Sequence, residues 1–221
     1  MEEFDIDHAL VGTGRVFPDH IEQADWIGYH GTSSFYASQI EANGFSLVKP
    51  LPAADVDRVV ELARRLGLDW QRVDGFKELK SISFSPVSEV ALDYSRPHAL
   101  GGQGVGYVRD AVDEILSAHS GKISADEGRR LADIRAMIDL IRASPPVIYA
   151  VDLKGLPTAR FQKLTTGLYV YEPIPASRIK AKLKVSSPVD YSLVNARKHR
   201  DGLRALAASA TPHFTKLMPQ G

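Results

Sequence analysis

The sequence predicts an α+β fold, and three observations carry that prediction. Short apolar runs with a period of two recur along the chain, amphipathic stretches at helical spacing lie between them, and one long helical stretch interrupts the series before the last strands.

The elements follow in order. Residues 1–25 show little periodicity, and Val11-Gly-Thr-Gly-Arg-Val-Phe-Pro-Asp19 reads as turns, so this stretch is expected to be a lid or packing arm. Trp26 to His30 is a short apolar strand that delivers a histidine to its end. A Gly31-Thr32-Ser33 turn and an amphipathic helix from Ser34 to Asn43 follow, with Asn43-Gly44 as the stop. The spacing of Val56, Val59, Val60, Ala63 and Leu66 predicts a helix over 53–66, ended by Gly67. Ile82 and Phe84 alternate with Ser81, Ser83 and Ser85, as in a strand with one apolar face and three hydroxyls on the other. A helix from Val87 to Tyr94 comes next.

The glycine-rich run 98–106 follows a helix, whereas a dinucleotide-binding fingerprint follows a strand, so a mobile connection is expected. From 107 to 143 two stripes, Val108, Val112, Ile115, Leu116 and then Leu131, Ile134, Met137, Ile138, Ile141, predict a helical hairpin inserted at 100–145, with a capping box at Ser124 to Glu127. Val147 to Leu153 reads as a buried strand. Strands at 168–175 and 178–185 follow, the last with Ile179, Ala181, Leu183 and Val185 inward. A closing helix is expected from Ser192 to Ala208, then a tail. The whole, 1–221, is expected to be a single domain carrying the arm and the insertion.

Composition narrows the chemistry. The chain has no cysteine, which excludes disulfides, a thiolate nucleophile and cysteine metal sites. Its seven histidines lack metal-ligand spacing, so no metal site is predicted. No apolar run approaches the roughly twenty residues that cross a bilayer, and the first residues are acidic where a signal peptide is basic and then apolar. A cytoplasmic start is expected, with export as an effector by a route that leaves no cleavable signal still open. Formal charge is zero, yet from Val151 onward twelve basic side chains stand against four acidic ones. That surplus suits an acidic partner, protein or nucleic acid. Lys180, Lys182 and Lys184 are read instead as edge-strand lysines that discourage pairing.

The junction after the first strand is the densest chemical signal. Tyr29-His30-Gly31-Thr32-Ser33 with Ala37, Ile40, Gly44 and Phe45 resembles the first motif of the diphtheria-toxin-like ADP-ribosyltransferases, and Ser83-Phe84-Ser85 with Ala91 and Tyr94 resembles the second. The resemblance implies a split, mostly antiparallel β-sheet with flanking helices and an NAD cleft between its halves. It implies that His30 hydrogen-bonds an NAD ribose hydroxyl and that the Gly31 backbone holds the nicotinamide carboxamide. NAD would then lie with its nicotinamide near His30, Gly31 and Ser83 and its adenosine toward Thr32 and Ser33. Read without the resemblance, His30 caps a turn and Gly31 permits it.

The chain departs from the family's His-Tyr-Glu group where Ser83 stands in place of a stacking tyrosine, closer to the Arg-Ser-Glu group. Tyr94 or Tyr36 is the candidate to stack on nicotinamide, each with an alternative role in the core. The family's late glutamate finds its candidate in Glu172, the only acidic residue of the late strand region. The alternatives are a strand-end carboxylate paired with Arg178, or charge supplied by Asp152 or another acid. The resemblance implies a mono-ADP-ribosyltransferase with an unidentified acceptor, protein, nucleic acid or small molecule. An NAD glycohydrolase and a non-catalytic NAD- or partner-binding module are the alternative readings. The RNA 2′-phosphotransferases share the fold but depend on arginines that this chain does not match.

Overall fold

A computed structural model describes residues 1–47, 51–78, 81–92, 94, 96, 100–156, 161–164, 167–187 and 189. The expected closing helix over 192–208 and the tail lie outside them. Helices and strands are mixed, as an α+β fold requires. The chain divides into two compact units, one of residues 1–47, 81–96 and 145–221 and one of 48–80 and 97–144.

The first unit is built on strands. Its larger sheet has the order β1 (Glu2–Asp5), β7 (Ile179–Lys184), β4 (Pro146–Asp152) and β2 (Ile27–Ser33). β4 is buried along its five central residues, as its Val-Ile-Tyr-Ala-Val run demands. β2 and β7 flank it antiparallel, while β1 runs parallel to β7. The residues 1–25 expected to form only an arm therefore begin with a strand. Four residues, three of them acidic, carry no strand periodicity; what holds them is register, with Glu3 opposite Lys182.

A second, wholly antiparallel sheet has the order β3 (Ile82–Phe84), β6 (Gly167–Val170) and β5 (Phe161–Leu164). The two sheets meet where Tyr29 and Ser85 exchange backbone hydrogen bonds of 2.8 and 2.9 Å. Among the described residues of the unit, three short α-helices, α1 (Asp19–Glu22), α2 (Ala37–Asn43) and α5 (Ser88–Leu92), accompany the sheets. α2 ends at Gly44 with φ of 82°, where a Cβ would lie 2.0 Å from the Ile174 carbonyl oxygen, so only glycine fits. Phe45 then exchanges backbone bonds with Ile174.

Alternation along β2 divides the core into two. Ile27 and Tyr29 pack with Phe17, Ala91, Leu92 and Ile148 on one face. The other face belongs to Ile40, Phe45, Phe84, Tyr149 and Val151. The segment after β1 is no free lid, because two carboxylates tie it down. Glu22 accepts from the Val16 and Phe17 amides at 3.0 and 2.9 Å, from Tyr29 Oη at 2.9 Å and from Ser88 Oγ. Buried Glu89 accepts from the Gly12 amide at 2.5 Å and from the Gly14 amide.

The second unit is helical: α3 (Ala53–Leu66), α4 (Gln71–Glu78), α6 (Gln103–Ala118) and α7 (Ala125–Ala143). The expected inserted hairpin is thus two of four helices, and 48–80 belongs with it. Gly67, at φ of 77°, ends α3 in the left-handed conformation. Ser124 and Glu127 form the capping box at the start of α7. Val59, Val105, Val108, Val112, Ile115, Leu131, Ile138 and Ile141 are fully or almost fully buried, but Met137, expected in the stripe, is 41% exposed. α6 starts at Gln103 behind Gly102, φ 98°, so Gly104 and Gly106 lie inside a helix and not in a mobile connection. Apolar burial of Val105 and Val108 offsets the roughly 1 kcal/mol that each internal glycine costs. Among the described residues no helix is long and apolar enough to cross a membrane.

Candidate functional site

His30 stands on β2, the last strand of the larger sheet, with its side chain on the face of Phe45 and Phe84. Its Nδ1 lies 2.9 Å from the Ser83 carbonyl oxygen. A carbonyl only accepts, so Nδ1 carries the proton and the tautomer is fixed. The ring meets the edge of Phe45 at 5.0 Å and Phe84 at 5.7 Å. Burial against this hydrocarbon pushes the imidazole pKa below its usual value, and the bond to Ser83 opposes that shift without cancelling it. At neutral pH the ring is therefore uncharged, and Nε2 presents a lone pair.

Gly31 contributes in two directions. Tyr29 turns its N–H and C=O toward Ser85, away from β4, and the period of two gives Gly31 the same orientation. Among the described residues no strand pairs with that edge beyond Ser85. Perpendicular to the edge, a Cβ on Gly31 would lie 2.1 Å from the Ala91 carbonyl oxygen and 3.1 Å from Tyr94 Cβ. The absent side chain is thus demanded by α5 packing on β2.

The remaining candidates divide. Tyr94 is half-buried and rests against Gly31, and Ser83 offers a half-buried side chain while its carbonyl serves His30. Tyr36 packs its ring edge-on to Phe35 at 5.1 Å, and its buried hydroxyl has no partner among the described residues. Burial pushes that phenol pKa above its ordinary range. Thr32 and Ser33 are buried, and Ser33 Oγ accepts from the Phe35 amide as a cap. Ser33, 0% exposed, therefore has no surface atom with which to meet an adenosine.

Glu172 lies two residues beyond β6, half-buried, and no hydrogen bond or ion pair joins it to His30 or to any other described residue. Its suggested partner Arg178 donates instead to the Asp152 and Lys154 carbonyls at 3.2 and 2.6 Å. Asp152, the alternative acid, pairs with Lys180 at 3.4 Å and sits opposite Ile27, three residues along β2 from His30. It lines a cavity of about 390 Å³ with Glu2, Asp25, Ile27, Lys154 and Lys180, and no other predicted site residue reaches that cavity.

Sequence reading missed the groups that share the sheet face with His30. Glu41 of α2 accepts from Tyr149 Oη at 2.9 Å and pairs with Lys182 at 2.6 Å. Lys182 is 9% exposed on a strand held between two others, which overturns the edge-lysine reading for Lys182 and Lys184, while Lys180 precedes the residues that β1 pairs. Their alternation with apolar residues was visible; that β1 would cover the outer edge was not. No family model matches the chain, and neither a curated protein nor a solved structure is significantly similar to it.

Proposed function

We propose that the chain is an NAD-dependent mono-ADP-ribosyltransferase of the diphtheria-toxin-like kind, with NAD as substrate, nicotinamide as leaving group and an acceptor still to be identified. The observation that carries this reading is one juxtaposition. A tautomer-locked, uncharged imidazole stands beside a glycine whose amide and carbonyl face an edge that no strand covers among the described residues. Two sheets that meet through the Tyr29–Ser85 backbone bonds and the His30–Ser83 bond are compatible with the split that the motif resemblance implies.

In this reading His30 Nε2 accepts from a ribose hydroxyl, and the Gly31 N–H and C=O engage the two ends of the carboxamide, which offers one acceptor and two donors. Transfer passes through a state with positive charge developing on the ribose, so a carboxylate nearby lowers the barrier more than it aids binding. Glu172 is the candidate, acting from the turn after β6. A second reading, NAD binding without transfer, is favoured by one observation: among the described residues no hydrogen bond or ion pair joins Glu172 to His30.

Titration calorimetry with NAD, followed by nicotinamide release, separates the two. Wild type binds and releases, His30→Ala weakens binding about tenfold, and Glu172→Gln keeps affinity while turnover falls by about two orders of magnitude or more. Full activity in Glu172→Gln removes that residue from the chemistry. No binding heat with wild type rejects the reading altogether. Labelled NAD incubated with the chain in a lysate then tells a protein acceptor from nucleic acid or a small molecule by where the label partitions.

A further inference from the structure

The register of the larger sheet sets four side chains in one row across it. Glu3 of β1 is opposite Lys182 of β7, Lys182 is opposite Tyr149 of β4, and Tyr149 is opposite His30 of β2. α2 closes over the row. Glu41 takes the Tyr149 hydroxyl proton bond at 2.9 Å and the Lys182 ammonium at 2.6 Å, and Phe45, just past the same helix, touches both Tyr149 and His30 with ring centroids at 5.7 and 5.0 Å. Lys182 also reaches Glu3 at 3.6 Å, and Glu3 in turn holds Lys184. Tyr149, itself fully buried, has its pKa raised by burial and then by Glu41.

Lys182 holds its ammonium two strands from His30. Strands are spaced about 4.8 Å apart, so Lys182 lies roughly 10 Å away, close enough for its charge to act through the protein interior. Other titratable groups on or over this face are Asp5 and Glu3 from β1, Lys184 from β7, Tyr149 from β4, Glu41 from α2 and Tyr36 from the turn before it. Lys180 pairs with Asp152 at the far end of its strand. Glu3 is shared between Lys182 and Lys184, so Glu41, at 2.6 Å, is the nearer carboxylate to Lys182.

We propose that Glu41 is a positioning residue for the His30 site: through Lys182 and Tyr149 it neutralises the charge beneath the histidine and fixes α2, and with it the Phe45 wall. This rests on His30 being the working group of the proposed NAD site, and it predicts a signature that mere structural support does not. Removing the carboxylate leaves Lys182 in excess and makes His30 harder to protonate. Removing the ammonium leaves one carboxylate in excess and makes it easier.

The experiment is an NMR titration of the His30 ring in the NAD-free chain, with spectral dispersion confirming the fold of each variant. Glu41→Gln should lower the His30 midpoint by about half a pH unit, Lys182→Gln should raise it by about as much, and Tyr149→Phe should leave it near wild type. Shifts of the same sign in the two charge variants, or none in Glu41→Gln, overturn the proposal. If Lys182→Gln does not fold, Glu41→Asp decides: a midpoint restored toward wild type supports a charge effect, and one equal to that of Glu41→Gln refutes it. NAD titration of the same samples keeps the two questions apart. Opposite shifts in a chain that never binds NAD leave this inference standing and reject the functional proposal, whereas NAD binding with no opposite shifts does the reverse.

Discussion

The two units bury different kinds of side chain. Among the described residues, all six buried polar or charged ones, Thr32, Ser33, Ser85, Ser88, Glu89 and Lys182, belong to the sheet unit, while the helical unit buries only apolar side chains. Each buried polar group needs a specific partner or costs a few kcal/mol, so a sequence carries them where geometry must be unique. The helical unit reads as scaffold by this measure, and the sheet unit as the place where positions matter.

The sharpest way to break that contrast is to remove one partner from each side. Glu89→Ala orphans the Gly12 and Gly14 amides and should cost about 4 kcal/mol in urea unfolding. Ile138→Ala in α7 leaves a cavity in an apolar neighbourhood and should cost about 3 kcal/mol by the same measurement. A larger loss for Ile138→Ala than for Glu89→Ala means that polar burial is not what distinguishes the sheet unit. Gly31→Ala sharpens the comparison at one atom. Its methyl meets the Ala91 backbone, so about 2 kcal/mol should be lost as α5 shifts, visible as displaced amide resonances over 88–92.

The helical unit offers smaller effects. Ser124→Ala removes the capping bond to the Glu127 amide and should cost about 1 kcal/mol, read from the thermal midpoint. Glu127 itself has its pKa lowered to about 2, chiefly by the Arg65 guanidinium at 2.9 Å and then by the Ser124 amide. A depressed carboxylate stabilises above its unfolded value near 4.3, and the contribution fades as pH falls from there toward 2. Wild type should therefore lose stability between pH 4 and 2 more steeply than Arg65→Ala does, a difference that acid titration followed by circular dichroism detects.

Elements whose evidence is local were legible. The bounds Ala53–Leu66 and the Ser124 capping box follow from apolar spacing and cap chemistry contained within one element. The first strand runs on from His30 to Ser33 because β4 pairs with it that far, which no residue of the strand announces. β1 was invisible because its acidic residues form a strand only against the lysines of β7. Of the candidate site, His30, Gly31, Ser83 and Tyr94 do come together, through the Ser83 carbonyl and the packing of α5. Glu172 was chosen as the acid of its region, and nothing in a linear sequence reports its distance from an imidazole. Glu41 was passed over because a glutamate on a short helix ordinarily faces water. Only the register that sets Lys182 beside Tyr149 shows that this one turns its carboxylate to both.

The parallel seating of β1 on β7 fixes an order of events. Their partners are separated by nearly the whole described chain, so β1 leaves the ribosome well before β7 and stays unpaired until residues 179–184 arrive. The carboxylate knots at Glu22 and Glu89 have comrades nearer in sequence and close sooner, holding the leading segment against α5 while its own strand waits. A nascent chain halted short of β7 would thus display an acidic, unattached leader beside an open sheet margin, the form most exposed to proteases and to pairing with a neighbouring copy.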